Sequence, residues 1–273
     1  MSLLATTRSE TTKQFTTAMW WILGIVLFAY IGFTAAILGF VFSASATGAL
    51  GGNAPQLPAE GLPETLYSTA TSVGYVFPLL IGTLMVTSEF RHKTLTPTFL
   101  ATPRRGSVLW AKLVVGVLLG VLYGVIGVVA SVAPSAAFLA GYGLSTEFDS
   151  PDTWALFGRM LLAYILWVFI GVGVGALVRN QVGAIVGVLV FTQFLEPVAR
   201  AAASFIEGLT DFTKYLPGSA SDALVGASVF AIGPTGAATS DTLEWWVGGL
   251  VLLGYAAVLV VLGYLVSWRR DVS

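Results

Sequence analysis

The chain has 273 residues, of which 56% are hydrophobic and only 10% charged, with a mean hydropathy of +0.86 and a formal net charge of −1. That charged fraction lies far below the ~25% of ordinary soluble domains and points to an all-α integral membrane protein. With no cysteine and a single histidine, His92, there is no disulfide, no thiol nucleophile, no Cys- or His-based metal site and no Ser-His-Asp triad to assemble.

Six uncharged apolar stretches, each near the ~20 residues that cross a hydrocarbon core of ~30 Å, make one transmembrane domain of residues 1–273. They cover 19–42, 66–87, 113–139, 160–178, 182–195 and 245–268. The first is followed by SASATGA, which looks like a cleavage site, but its apolar run is too long for a signal core of ~7 to 15 residues and reads as a retained anchor. The loop 43–65, with NAPQLPAEGLPE, is a solvated connector.

Residues 88–112, SEFRHKTLTPTFLATPRRGSVLWAK, are the one long basic segment, holding Arg91, Lys93, Arg104, Arg105 and Lys112 out of 13 lysines and arginines. Ser88 with Glu89, then Thr96-Pro97, then Thr102-Pro103 are cap and break signals for two short helices. Phe90, Leu95, Phe99 and Leu100 supply apolar contact among the charges. Such a segment suits a partner's docking site, or equally a loop resting on anionic headgroups, where each base gains ~1 kcal/mol.

Further along, Pro134 is expected to kink the third span or end it early. Ser150-Pro151 is a favourable start for the fourth. Arg159 lies about two turns inside that span; it can snorkel to the headgroups, pair with Asp152, or meet an anionic cargo group. The turn 178–181 is so short that spans four and five must be antiparallel neighbours. The fifth span either continues past Glu196-Pro197 or stops short of the surface. Beyond it, Val198, Ala202, Phe205 and Leu209 mark one face of an amphipathic helix lying in the interface or dipping back into protein. Glu196 and Arg200 are spaced as a helix ion pair. Glycines at four-residue steps, 116/120/124 and 183/187, allow close helix approach within the subunit or at a subunit seam.

Orientation follows from the bases. With both termini cytoplasmic, ten lysines and arginines are inside, and only Arg159, Arg200 and Lys214 are outside. No G-x-x-x-x-G-K-[ST] phosphate loop occurs, and no span carries a carboxylate near its middle, so the energy for any pumping must come from another chain.

The segment resembles the membrane subunits of type-2 ATP-binding-cassette exporters. The similar pattern is Glu89-x-Arg91, then Thr94-Leu95, then Thr102-Pro103 with Arg104-Arg105, and Lys112 entering the third span. In looser form it extends to six spans, Arg179-Asn180 in the fourth-to-fifth turn, and a long outer insertion with Tyr215-Leu216-Pro217. The resemblance implies a coupling helix between spans two and three that seats in an ATP-binding subunit through Glu89, Phe90, Arg91, Thr94, Leu95, Phe99, Arg104 and Arg105. It also implies re-entrant or interfacial outer helices between spans five and six, and a path or outer gate near Thr192, Gln193, Phe194 and Glu196, residues that ordinary span packing would equally explain.

On this reading the chain is a plasma-membrane permease subunit, a homodimer with lipid around it and two ATP-binding-cassette subunits beneath, and not itself an enzyme. ATP and Mg belong to the partner; no cofactor is expected in this chain and no nucleic acid as a partner. The uncharged spans suit a hydrophobic or amphipathic cargo. The alternative is an ATP-independent channel or a structural anchor for a cytoplasmic protein.

Overall fold

The computed structural model describes residues 3–51, 57–101, 105–203, 205, 209–231 and 243–268, and among them there are helices and no strand. Helix α1 (Leu3–Thr16) precedes α2 (Met19–Ala46), which is the first span. Two short helices, α3 (Leu62–Tyr67) and α4 (Thr69–Ser72), lead into α5 (Val76–Arg91), and α6 (Leu95–Ala101) joins this to α7 (Arg105–Gly141). Then come α8 (Pro151–Leu177), α9 (Gln181–Val190) and, through a π-helical turn at Phe191–Leu195, α10 (Glu196–Ala203). Three more helices follow: α11 (Leu209–Thr213), α12 (Pro217–Val225) and α13 (Trp245–Gly263), the last ending in a second π turn, Tyr264–Trp268.

Six helical segments are long and apolar enough to cross a bilayer: Met19–Ala46, Leu62–Arg91, Arg105–Gly141, Pro151–Leu177, Gln181–Ala203 and Trp245–Trp268. The chain is a multi-pass membrane protein. Its second span is the axis of the bundle, with 94% of its apolar window buried, against 22% for the first and fifth and 17% for the sixth. Spans three and four pack around that axis, the first, fifth and sixth are the most exposed, and the third keeps an exposed apolar face of its own that includes Trp110, Leu118 and Val129.

Glycine makes this closeness possible where a side chain would strike backbone. A Cβ on Gly171 would stand 2.2 Å from the Leu79 carbonyl oxygen, and one on Gly82 2.2 Å from that of Val168, so spans two and four touch main chain to main chain. The third span's ridge is used in the same way, with Gly120 against the Cα of Ile165 at 2.6 Å. On the fifth span, by contrast, Gly183 meets only its own Asn180 and Gly187 has nothing within 4 Å. The two ridges therefore differ: one is packed within the subunit, the other is open.

Several local expectations need correcting. Pro134 does not end the third span, which runs on to Gly141. The carbonyl it leaves without an amide partner, that of Ala130, lies beside Gly32 of the first span. Ser88 caps no new helix, because the hydrogen-bond ladder of α5 continues through it to Arg91. Only one short helix, α6, follows, with Pro97 tolerated in its first turn. The fifth span does continue past Glu196-Pro197, absorbing the break in its π turn. The span's last helix, α10, ends at Ala203; of the predicted apolar face Val198 and Phe205 are exposed and Ala202 and Leu209 half-buried, while Glu196 is turned in. Ser150 caps α8 by accepting from the Asp152 amide, and Asn180 caps α9 by accepting from that of Gly183.

Candidate functional site

Helix α1, the foot of α5, helix α6, the start of α7 and the last turn of α13 meet at one end of the bundle, here called the basic end. Lys112 sits two turns into α7 and is 1% exposed. An ammonium has three donors and no acceptor, so burial demands acceptors and negative charge around it. Glu10 Oε2 at 2.6 Å and the Met85 carbonyl at 3.3 Å accept hydrogen bonds from it, and Glu89 Oε2 stands 3.1 Å away as an ion-pair partner. Glu10 and Glu89 are themselves only 3% and 6% exposed. Lys13 closes the square, with its Nζ 2.7 Å from Glu10 Oε1 and 3.1 Å from Glu89 Oε1. Two acids and two bases thus neutralise one another, with Lys13 alone partly open to solvent, and three helices, α1, α5 and α7, are tied by ion pairs and charge-assisted hydrogen bonds.

Helix α6 is joined to this square by Lys13, which also donates to Thr98 Oγ1 at 3.1 Å. A second tie runs to the sixth span. The Phe99 ring meets Trp268 edge-on at 5.5 Å, Arg105 lies 5.2 Å above the Phe99 ring, and its guanidinium donates to the Trp268 carbonyl at 3.0 Å. Arg179 holds the same π turn through Ser267 Oγ at 3.2 Å, so two cations cap the carboxyl end of the sixth span. The inner side of α6 is closed by Leu95, which is 2% exposed. Its opposite side is bare, and Leu100 is 79% exposed.

The residues singled out in the sequence divide accordingly. Leu95, Phe90 and Phe99 pack inward, and Glu89 faces Lys112 and Lys13 rather than the outside. Arg91 and Thr94 are exposed, and Arg91 reaches Gln181 Oε1 only at 3.5 Å. Arg105 is bound to the sixth span, and Arg104 lies outside the described residues with Thr102 and Pro103. Nothing local to Glu10 or Lys13 marks them for this site, and Trp268, whose place at a span end suggests an interface anchor, is instead 1% exposed. The available signal was Lys112 itself: a lysine inside an apolar helix needs a carboxylate, and Glu10 and Glu89 are the acids at this end among the described residues.

The square predicts a pH window for α1. Burial alone would raise the Glu10 carboxyl, but Lys112 and then Lys13 more than offset it and hold it below the ordinary carboxylate range. Burial would lower Lys13, and Glu89 and Glu10 outweigh that and hold it above the ordinary lysine value. A lowered acid stabilises docking above its unfolded value and loses this as pH falls through the folded one; a raised base stabilises below its unfolded value and loses this as pH rises. Docking of α1 should therefore be flat across neutral pH and fail at both extremes. Trypsin cleavage after Arg8, followed against pH on protein pre-equilibrated and returned briefly to pH 8, checks this; cleavage rising steadily across pH 6 to 8 would contradict it.

A second polar assembly lies at the opposite, far end. Glu196 Oε1 accepts from Arg200 Nη2 at 3.0 Å and from the Ser219 amide at 3.1 Å, capping the start of α12. Arg200 Nη1 also reaches Asp222 Oδ2 at 2.7 Å, and Asp222 accepts from Ser72 at 3.0 Å and Ser228 at 2.9 Å. The predicted Glu196–Arg200 pair is present and is one limb of a larger network. Helix α12, too short to span, is buried almost throughout between spans two, four and six. Tyr75 stacks on Trp167 at 4.5 Å and donates to the Thr192 carbonyl at 3.1 Å, and Trp167 donates to Ser221 at 3.0 Å. Of the four residues proposed for a path, Thr192 and Glu196 face this network, while Gln193 and Phe194 are exposed on the other side of the π turn. π turns of this kind recur at functional positions because the extra residue re-aims its neighbours.

Among the described residues no group of three or more His, Cys, Asp or Glu is placed to hold a metal ion. No protein-family model matches the chain, and no curated protein matches it.

Proposed function

We propose that this chain is the membrane subunit of an ATP-driven exporter, working as a dimer with a separate ATP-binding-cassette subunit beneath the basic end, which is cytoplasmic. The observation that carries the reading is the position of α6. Its outer side offers Leu100 and the neighbouring Arg91 to solvent, and its inner side is bonded to α1, to the second and third spans through the ion square, and to the sixth span through Phe99 and Trp268. A force applied to this one short helix would reach three spans at once. A loop that merely rested on headgroups would not need such ties.

On this reading, closure of the ATP-binding subunits moves α6, and the spans shift between inward-open and outward-open populations. ATP and Mg act in the partner. The far-end network around Glu196, with α12 as a re-entrant helix, serves as the outer gate, and the exposed Gln193, Phe194 and Gly187 face the second subunit across the path. The cargo is hydrophobic or amphipathic and enters from the surrounding leaflet.

Leu100→Glu tests this directly. Because Leu100 is 79% exposed, the chain should insert and fold in normal amount. A charge at the centre of a desolvated contact should weaken capture of the ATP-binding partner by tenfold or more, about 1.4 kcal/mol or greater, and transport should fall with it. Undiminished capture and export would count against α6 as the coupling element; an ATP-independent channel would show the same flux with or without the partner.

A further inference from the structure

Among the described residues, Arg159 is the one base at the far end without an ion-pair partner. The other two there, Arg200 and Lys214, pair with Glu196 and Asp222 and with Asp211. Among the described residues Arg159 forms no ion pair, its Nε is buried without a hydrogen-bond partner, and the pairing with Asp152 that spacing allows is not made. The guanidinium is instead laid against the turn after α12, with Nη1 3.2 Å from where a Cβ on Gly226 would stand. Gly226 has a φ of +86°, so this flat resting place exists because the position takes a residue without a side chain.

Position along the helix decides what could answer the charge. Arg159 lies about 12 Å from the start of α8 at Pro151, and about 7 Å below Trp154 on the same helix. Helical side chains lean toward the amino end, which for α8 is the far rim, so the guanidinium is carried outward from its Cα. Trp154 at 62%, Trp245 at 52% and Trp246 at 50% exposure stand at the same rim, the level at which amphipathic rings meet headgroups. A partly buried cation with an unused donor, just below that level, fits a phosphate oxygen better than a protein carboxylate. A guanidinium offers planar paired donors to such an oxyanion, which a lysine ammonium cannot.

We propose that Arg159, seated on the α12–Gly226 turn, binds the phosphodiester of a phospholipid at the far rim. The headgroup would sit on the outer side of the fourth span beside the turn at Gly226, and the site is independent of the exporter reading, requiring only that the six helices cross a bilayer.

The test is titration of the purified full chain in detergent with dioctanoyl phosphatidylglycerol, dioctanoylglycerol and inorganic phosphate, followed by native mass spectrometry. The wild type should retain the phospholipid at least tenfold more tightly than dioctanoylglycerol, which has the same chains without the phosphate. Arg159→Gln, which is polar but uncharged and lacks the guanidinium, should lose about 10- to 100-fold in that affinity. Arg159→Lys should fall between, because the charge stays and the fork is lost. Equal retention of the two lipids by the wild type would overturn the site without recourse to any variant, as would unchanged phospholipid binding by Arg159→Gln. Inorganic phosphate bound as tightly as the lipid would overturn the lipid as occupant.

Discussion

Lys112→Met should cost about 3–5 kcal/mol of stability, because it leaves Glu10 and Glu89, both nearly inaccessible, to share the single ammonium of Lys13. The loss comes from removing one partner of a buried set, and not from any large net gain that the intact set supplies. A second change separates these two things. Glu10→Leu added to Lys112→Met removes an orphaned carboxylate and replaces it with packing, and it should recover a substantial part of the loss even though another ion pair has gone. Unfolding in detergent gives the stability, and trypsin cleavage after Arg8 gives the release of α1. If Lys112→Met unfolds at the wild-type temperature with α1 still protected, the square does not hold α1 in place. If export is ATP-driven as proposed, the variant should also hydrolyse ATP with little transport, since α6 would keep its partner but lose one of its ties.

Gly171→Leu should abolish the folded protein. Its Cβ would be placed 2.2 Å from one carbonyl oxygen and 2.9 Å from the Thr83 amide nitrogen, and neither backbone can move without dragging the most buried helix of the bundle with it. Even alanine there should exceed the ~1–3 kcal/mol typical of overpacking, because the obstruction is main chain and not a side chain that can turn aside. Gly187→Ala is the matched control on the open ridge. Nothing lies within 4 Å, so the monomer should fold at least as well, with up to ~1 kcal/mol gained from helix propensity. Folded yield by size-exclusion chromatography distinguishes the two; a normal yield for Gly171→Leu would mean that spans two and four are not in backbone contact.

Much of the architecture was legible before any coordinates. Hydropathy located all six spans, because a bilayer imposes a length and an apolarity that few other constraints can override. Where the readings were short, as for the third span from 113–139 to Arg105–Gly141 and the fourth from 160–178 to Pro151–Leu177, the cause was charge. Lys112 and Arg159 look like boundaries to a hydropathy reading, yet both lie within continuous helix. The site was read less well for a related reason. Glu89 was grouped with the exposed bases around it, since sequence spacing does not tell which face of a helix end is covered. Its true neighbours, Glu10 and Lys13, are about 80 residues distant along the chain, and no local pattern announces them.

Composition and hydropathy by themselves determined that the chain has six segments apolar enough to cross a membrane and that it holds no thiol. Those conclusions follow from counting, because transfer into lipid is priced residue by residue. Only the tertiary structure decided which spans form the axis and which are the most exposed, that one glycine ridge is filled while the other stands open, and that Lys112 and Glu89 neutralise each other while Arg159, among the described residues, has no ion-pair partner. These depend on the distance between groups far apart in the chain. In a low-dielectric interior a displacement of a few ångströms separates a satisfied charge from one that still needs a partner.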